Sequence, residues 1–277
     1  MLDWALWYCR QGLQVFPVHR IRDGRGCSCG NPGCSSPGKH PVTSNGVRGA
    51  SSDERLARDR WGLHSKANIG IHTNKLIVLD VDGAAGVRSL DSLASVDVPH
   101  GFEPRRKLLS RCPRVRTGGR GAHYFFKPNP DFKVLNKVKF MPGLDIRSEG
   151  GYVVAPPSNH VSGDMYTWVA GLQGGSVPIF PGWLKDEILK REARAFTAAN
   201  GASSNIDLRE IGNISEGGRN HGLTRVCGRL FFEGRSDSEI WAAMKVVNAM
   251  SCKPPVSEGE LIRICKNIKK KEMRKTR

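Results

Sequence analysis

Apolar positions in this chain follow two rhythms. Up to Val169 they fall mainly in short runs bounded by Gly, Pro, Asn and Asp; from Gly222 onward they recur at helical spacing. Leu2, Leu6, Cys9 and Leu13 predict a first helix, and Gln14 to Val18 a strand. Pro17 has no N–H to offer a sheet, so that strand belongs at an edge or an end. Ser52-Asp53-Glu54-Arg55 starts a second helix, capped by Asp53 or Ser52, with Leu56 and Trp61 facing inward. Asn68 to His72 reads as a strand leading into Leu76-Ile77-Val78-Leu79, a run short enough to be a buried strand. Val87, Leu90, Leu93 and Ala94 put a helix behind it, making a strand–turn–helix unit of α/β type. Pro99 to Arg114 reads as a basic, irregular loop.

Beyond it, two strands flank the Gly-rich turn of Arg114 to Phe126. Gly143 to Arg147 and Tyr152 to Ala155 are strands, and Tyr166 to Val169 continues them antiparallel. Pro181-Gly182-Trp183-Leu184 opens a helix to about Phe196, and the small polar residues after it have linker composition. Three further helices follow, two of them begun by Ser236-Asp237-Ser238-Glu239 and by Ser257 to Glu260. The expected organisation is α+β: a sheet-centred domain over 1–196, a linker at 197–207 and a small all-α bundle over 208–277.

The formal charge of +17 points to a polyanionic partner, most simply nucleic acid. An acidic membrane surface is the alternative, yet no stretch approaches the length of a membrane span. The N-terminal Met1-Leu2-Asp3-Trp4 lacks the basic region of a secretory signal, and the eight cysteines form no regular disulfide framework. A cytoplasmic protein with reduced thiols is expected.

Three stretches carry candidate chemistry. Asp80 and Asp82 end the buried strand two residues apart, so their side chains share a face. Such neighbouring carboxylates repel unless a cation lies between them, and oxygen ligands suit Mg²⁺ or Mn²⁺. A strand end with two solvated carboxylates explains an isolated Asp-x-Asp equally well. Cys27, Cys29, Cys34 and His40 fall in a turn-rich loop without a core of its own, and a closed Cys₃His zinc site would hold it. Free thiols or a disulfide remain the alternatives. Arg116, Arg120 and His123 surround glycines that let backbone N–H groups approach phosphate. Asp145 and Arg147 share a strand face, either as a salt bridge or as a metal ligand beside a phosphate ligand.

Together these stretches resemble the bifunctional primase–polymerase family of the archaeo-eukaryotic primase superfamily. Gly12 to Val18, Gly38-Lys39-His40-Pro41, Ala67-Asn68-Ile69-Gly70, Leu79-Asp80-Val81-Asp82, Gly119 to Phe126 and Gly143 to His160 stand in the family's order. The most specific part is Gly143-Leu144-Asp145-Ile146-Arg147 followed by Gly151-Tyr152-Val153-Val154-Ala155-Pro156-Pro157-Ser158. Gly218-Arg219-Asn220 and Pro254-Pro255-Val256-Ser257 look like the primase C-terminal domain of phage and plasmid replication proteins.

The resemblance implies a sheet core of the RNA-recognition-motif type and primer synthesis from NTPs or dNTPs on single-stranded DNA. It assigns Asp80, Asp82 and Asp145 to two catalytic Mg²⁺ or Mn²⁺ ions. It brings His123, and with them Arg147 and Arg120, to the incoming nucleotide. It gives Cys27, Cys29, Cys34 and His40 to a structural zinc that helps hold template or initiating nucleotide, and it suggests that a helicase follows in a longer polypeptide of a bacterial or phage-infected cell.

Two rivals stand beside it. The run into Asp80-Val81-Asp82-Gly83 also looks like the nucleophile motif of haloacid-dehalogenase-type phosphatases, although Ala84 stands where that motif usually has Thr. A non-catalytic, zinc-containing nucleic-acid-binding module would account for the zinc loop and charge, and would have no need of three carboxylates.

Overall fold

The computed structural model describes residues 1–22, 26–98, 103–172, 177–199, 214, 216–232 and 235–275. It is a mixed α+β structure that divides into two compact units, Met1–Pro181 and Gly182–Arg277.

In the first unit the chain runs α1 (Leu2–Arg10), β1 (Val15–Val18), β2 (Ile21–Arg22), β3 (Gly26–Cys27), α2 (Glu54–Leu63), β4 (Asn68–His72), β5 (Ile77–Val81), α3 (Gly83–Ala94), α4 (Arg105–Arg111), β6 (Arg114–Arg116), β7 (Ala122–Phe126), β8 (Lys137–Met141), β9 (Leu144–Arg147), β10 (Tyr152–Ala155) and β11 (Thr167–Ala170). Six strands form one sheet in the order β11-β6-β7-β5-β9-β8, and every neighbouring pair is antiparallel. A second sheet, β1-β4-β10, is also antiparallel, with Pro17 on an edge strand as its missing donor requires. One apolar core joins the two sheets, drawing Ile69 and Ile71 from β4, Val78 from β5, Phe125 from β7 and Trp61 from α2.

The strand alternation decides which side of β5 does what. Val78 and Asp80 share one face, while Ile77, Leu79 and Val81 share the other, where α3 contacts β5 and β9. That helix comes unusually close to the turn before β9. A Cβ on Gly86 would lie 2.4 Å from the Gly143 carbonyl oxygen, and Gly143 itself has φ +69, which favours glycine. The Asp82 N–H donates to Gly143 O at 2.8 Å and the Ser89 hydroxyl to Pro142 O at 2.8 Å. The start of α3 and the entry to β9 are thereby locked together.

The second unit contains α5 (Gly182–Ala199), α6 (Arg219–Phe232), α7 (Asp237–Ser251) and α8 (Glu258–Lys275). Leu223, Cys227, Ile240, Met244, Val247 and Leu261 make its core. Ser236 and Glu239 form the expected reciprocal capping box, and the Ser257 hydroxyl accepts the Glu260 N–H at 3.2 Å. The Asn248 side chain bonds both backbone groups of Val256 at 2.9 Å, tying α7 to the segment that enters α8.

Several expectations differ from this arrangement. The stretch Pro99 to Arg114 is not wholly irregular: α4 occupies Arg105–Arg111 and buries Leu109, while 99–102 lie outside the described residues. The strand–turn–helix unit sits between antiparallel neighbours. β10 leaves its predecessor for the three-stranded sheet, and β11 pairs with β6 at the far edge, so the three late strands are not one continuous antiparallel run. Helix α5 groups with the second unit, and of the expected linker 197–199 extend α5 while 200–207 lie outside the described residues.

Candidate active site

Register assembles the site. Asp80 on β5 lies directly opposite His123 on β7 and directly opposite Asp145 on β9. Residues paired across antiparallel strands point to the same face, so the three side chains form one row across the sheet. One step back on that face, Val78 pairs with Phe125 and with Arg147. The alternation that buries Val78 and Phe125 in the core therefore presents Asp80, His123 and Asp145 at its margin. Asp82 stands just past the strand, at the N-cap of α3, and is exposed. Carboxylate oxygens of Asp80, Asp82 and Asp145 lie within 4.8 Å of one another.

The cluster is partly neutralised by the chain itself. The His123 Nε2 lies 3.4 Å from Asp80 Oδ1, and Arg147 Nε lies 3.8 Å from Asp80 Oδ2. The same guanidinium donates from Nη2 to Asp145 Oδ2 at 2.5 Å. Asp145 Oδ1 accepts the Lys139 N–H at 2.6 Å. Lys139 reaches it from an irregularity in the β8–β9 pairing, with a left-handed φ of 55 that is costly for a side-chain-bearing residue. Burial opposes ionisation of Asp80, but the charge and hydrogen bond of His123, then Arg147 and Lys39, outweigh it and hold the carboxyl below its usual range. Asp82 goes the other way: burial, then the charges of Asp80 and Asp145, push its carboxyl up against the pull of Lys39. His123 is buried, and among the described residues its Nδ1 has no hydrogen-bond partner.

These residues open on a cavity of about 520 Å³. Asp80, Asp82, His123 and Arg147 line it, as do Thr117 and Gly119 from the Gly-rich turn, and Tyr152 and Tyr166. Arg120 is not part of this wall: it sits at the apex of the β6–β7 turn, exposed, with φ 62. The oxygen-only donors, their close spacing and an Asp80 carboxyl held below its usual range fit a hard divalent cation.

The four zinc-loop residues also converge. Their ligand atoms lie within 4.8 Å of one another, with His40 Nε2 at 3.5 Å from Cys27 Sγ and 3.4 Å from Cys34 Sγ. Burial raises the Cys27 thiol, but hydrogen bonds from the backbone of Cys29 and Gly38, then from Cys29 and His40 side chains, lower it to about 6. A thiol ionised at neutral pH among two other sulfurs and an imidazole fits zinc. The eight cysteines are all free thiols.

Four positions carry no distinct signal in the sequence. Strand β8, which delivers the Lys139 N–H, carries lysines among its apolar residues and has a broken register, so its period-two signal is weak. Tyr152 and Tyr166 read in the sequence as strand residues alone. Lys39, next to His40, lines the cavity although it belongs to the zinc loop.

A family model described as "Bifunctional DNA primase/polymerase, N-terminal" matches residues 5–183, and one described as "Primase C terminal 1 (PriCT-1)" matches 208–274. No curated protein matches the chain. Among the described residues no helix is long and apolar enough to cross a membrane.

Proposed function

Because this chain belongs to the bifunctional DNA primase/polymerase family, we propose that it synthesises primers on single-stranded DNA from nucleoside triphosphates by two-metal nucleotidyl transfer. The observation that carries this reading is the cross-strand row of His123, Asp80 and Asp145, with Asp82 beside it, of which His123, Asp80 and Asp82 line one cavity. Asp80, Asp82 and Asp145 would hold Mg²⁺ or Mn²⁺. Such ions, when bound, activate the attacking hydroxyl and stabilise charge on the attacking and leaving oxygens.

The chain's own residues position and neutralise. Asp80, held ionised at neutral pH, is ready to accept a cation. Arg147 stands beside two of the carboxylates and is placed to turn towards a triphosphate. His123 contacts the same group from β7, and Arg120, at the exposed turn apex outside the cavity wall, meets the part of the nucleotide that projects beyond it. No side-chain base is needed, because catalysis of this class rests on positioning and charge stabilisation.

The zinc loop holds template or initiating nucleotide, and the second unit binds template or product. The RNA-recognition-motif reading of the core draws support from the strand order β6-β7-β5-β9 with helices between β5 and β6, as in a split βαβ arrangement. A phage or plasmid replication setting in a bacterial cytoplasm, with a helicase in the same polypeptide, completes the proposal. The phosphatase reading has no use for Asp145 and His123 in this row, and a binding module has no use for the carboxylates.

The test is de novo synthesis on single-stranded DNA with NTPs, dNTPs and Mg²⁺ or Mn²⁺. Short products from the wild type and none from Asp80→Ala/Asp82→Ala are expected. Intact DNA binding without synthesis by the wild type under any of these conditions would refute the reading.

A further inference from the structure

The zinc loop does not stay apart from the catalytic cavity. Its last segment, Gly38-Lys39-His40, is held at three successive carbonyls. Asn68 Nδ2 donates to Gly38 O at 3.0 Å, the Tyr152 hydroxyl to Lys39 O at 2.8 Å, and the His19 N–H to His40 O at 2.8 Å. Asn68 is buried on β4 and Tyr152 stands on β10, so both anchors belong to the three-stranded sheet. The Lys39 backbone is thus fixed, while its side chain lines the cavity with Asp80, Asp82, His123 and Arg147. Among the described residues its ammonium meets no hydrogen-bond or ion-pair partner. Its charge is nevertheless felt by Asp80, Asp82 and His160.

A lysine placed only to neutralise the carboxylates would close on one of them, as Arg147 does. Lys39 instead has a fixed root and a free head, next to a cluster built for divalent cations. The ligand that answers both features is an anion that arrives with divalent cations, namely a polyphosphate. We propose that Lys39 binds the triphosphate of the incoming nucleotide, and that the four-ligand site at Cys27, Cys29, Cys34 and His40 positions it. Lysine serves phosphate groups as a point charge, needing reach more than fixed geometry. His40 supplies the link, since it is both the neighbour of Lys39 and the residue whose Nε2 faces the sulfurs. The inference rests on the nucleotidyl-transfer reading and extends it, because a zinc loop read as holding template or initiating nucleotide becomes part of the site for the incoming one. A template phosphate offers the same chemistry, and the experiment separates the two sources.

The experiment is calorimetric titration of the zinc-loaded full chain with three probes in Mg²⁺: a non-hydrolysable nucleoside triphosphate, inorganic tripolyphosphate and a single-stranded oligonucleotide. Lys39→Ala is expected to weaken both triphosphate probes roughly ten- to hundredfold, the range of one charged hydrogen bond, and to leave oligonucleotide affinity within about twofold. Lys39→Arg should retain most of the affinity. Removing zinc should weaken triphosphate binding by the wild type and add little to Lys39→Ala, since coupled positions are not additive. Because Lys39 is exposed, the melting curve of Lys39→Ala should match the wild type, which separates lost binding from lost folding. Unchanged triphosphate affinity in Lys39→Ala, or a loss confined to the oligonucleotide, would overturn the assignment and make Lys39 a template contact or a bystander. An equal further loss on removing zinc from Lys39→Ala would overturn the positioning role. A wild type that binds no triphosphate would instead remove the nucleotidyl-transfer reading, and this inference with it.

Discussion

Replacing Asp82 by Asn should stabilise the protein without divalent cations and deprive it of the stabilisation that such cations bring. Carboxylate oxygens of Asp80, Asp82 and Asp145 lie within 4.8 Å of one another. Two unit charges at that separation repel by roughly 3–4 kcal/mol at the effective dielectric of a protein surface. Asp82 is exposed, and Lys39 and His123 pull against the repulsion, so a net penalty of about 1 kcal/mol remains. Burial and the neighbouring carboxylates push its carboxyl above the usual range. The native state therefore favours the protonated form, and that contribution to stability is lost as pH rises through the raised folded value. At neutral pH the ionised group is a liability that Asn does not carry.

The assay is thermal unfolding of the zinc-loaded protein in buffer free of other divalent ions, and again with Mg²⁺ or Mn²⁺. Asp82→Asn should raise the transition of the first unit by about 2–4 °C without them, and the gap should close on acidification. The wild type should gain with the cation, by about 2.7 kcal/mol at a hundred times its dissociation constant, and should overtake the variant. A variant less stable than wild type in the absence of divalent ions, or one that gains equally from them, would refute the electrostatic account.

Asp145→Ala should behave oppositely, costing about 3 kcal/mol in denaturant unfolding as well as abolishing synthesis, because it leaves the Lys139 N–H and Arg147 without their acceptor. A loss of activity with unchanged stability would show that Asp145 has no structural share. Chelating zinc should expose the segment between Cys27 and His40 to proteolysis while the second unit keeps its melting transition. Protection equal to that of the zinc-loaded chain would mean that the backbone anchors alone hold the loop.

The local elements were readable because their signals are local. Apolar runs marked β4 and β5, helical spacing marked α1, α3 and the second unit's helices, and Ser236 with Glu239 announced a capping box that is present. The nearness of Asp80 to Asp82 also lay within one short stretch, the end of β5 and the residue after it. What joined Asp145 and His123 to them was register between strands distant in sequence, which periodicity does not encode; only the family resemblance pointed there. The destinations of β10 and β11 failed for the same reason, since a short strand does not announce which sheet edge it will complete. Helix α4 was hidden by charge: of Arg105–Arg111 only Leu108 and Leu109 are apolar. Lys39 was masked by its neighbours, whose cysteine and histidine spacing drew attention to zinc rather than to the cavity the loop faces.

The contact between Gly86 and Gly143 bears on the proposed metal centre. Asp82 precedes one glycine and Asp145 follows the other, and the two backbones touch with no side chain between them. The separation of the two backbone segments that carry those carboxylates is therefore set by main-chain atoms. Two residues with no side chain thus set the spacing of the two backbone segments from which Asp82 and Asp145 project, and a side chain at either would push those segments apart.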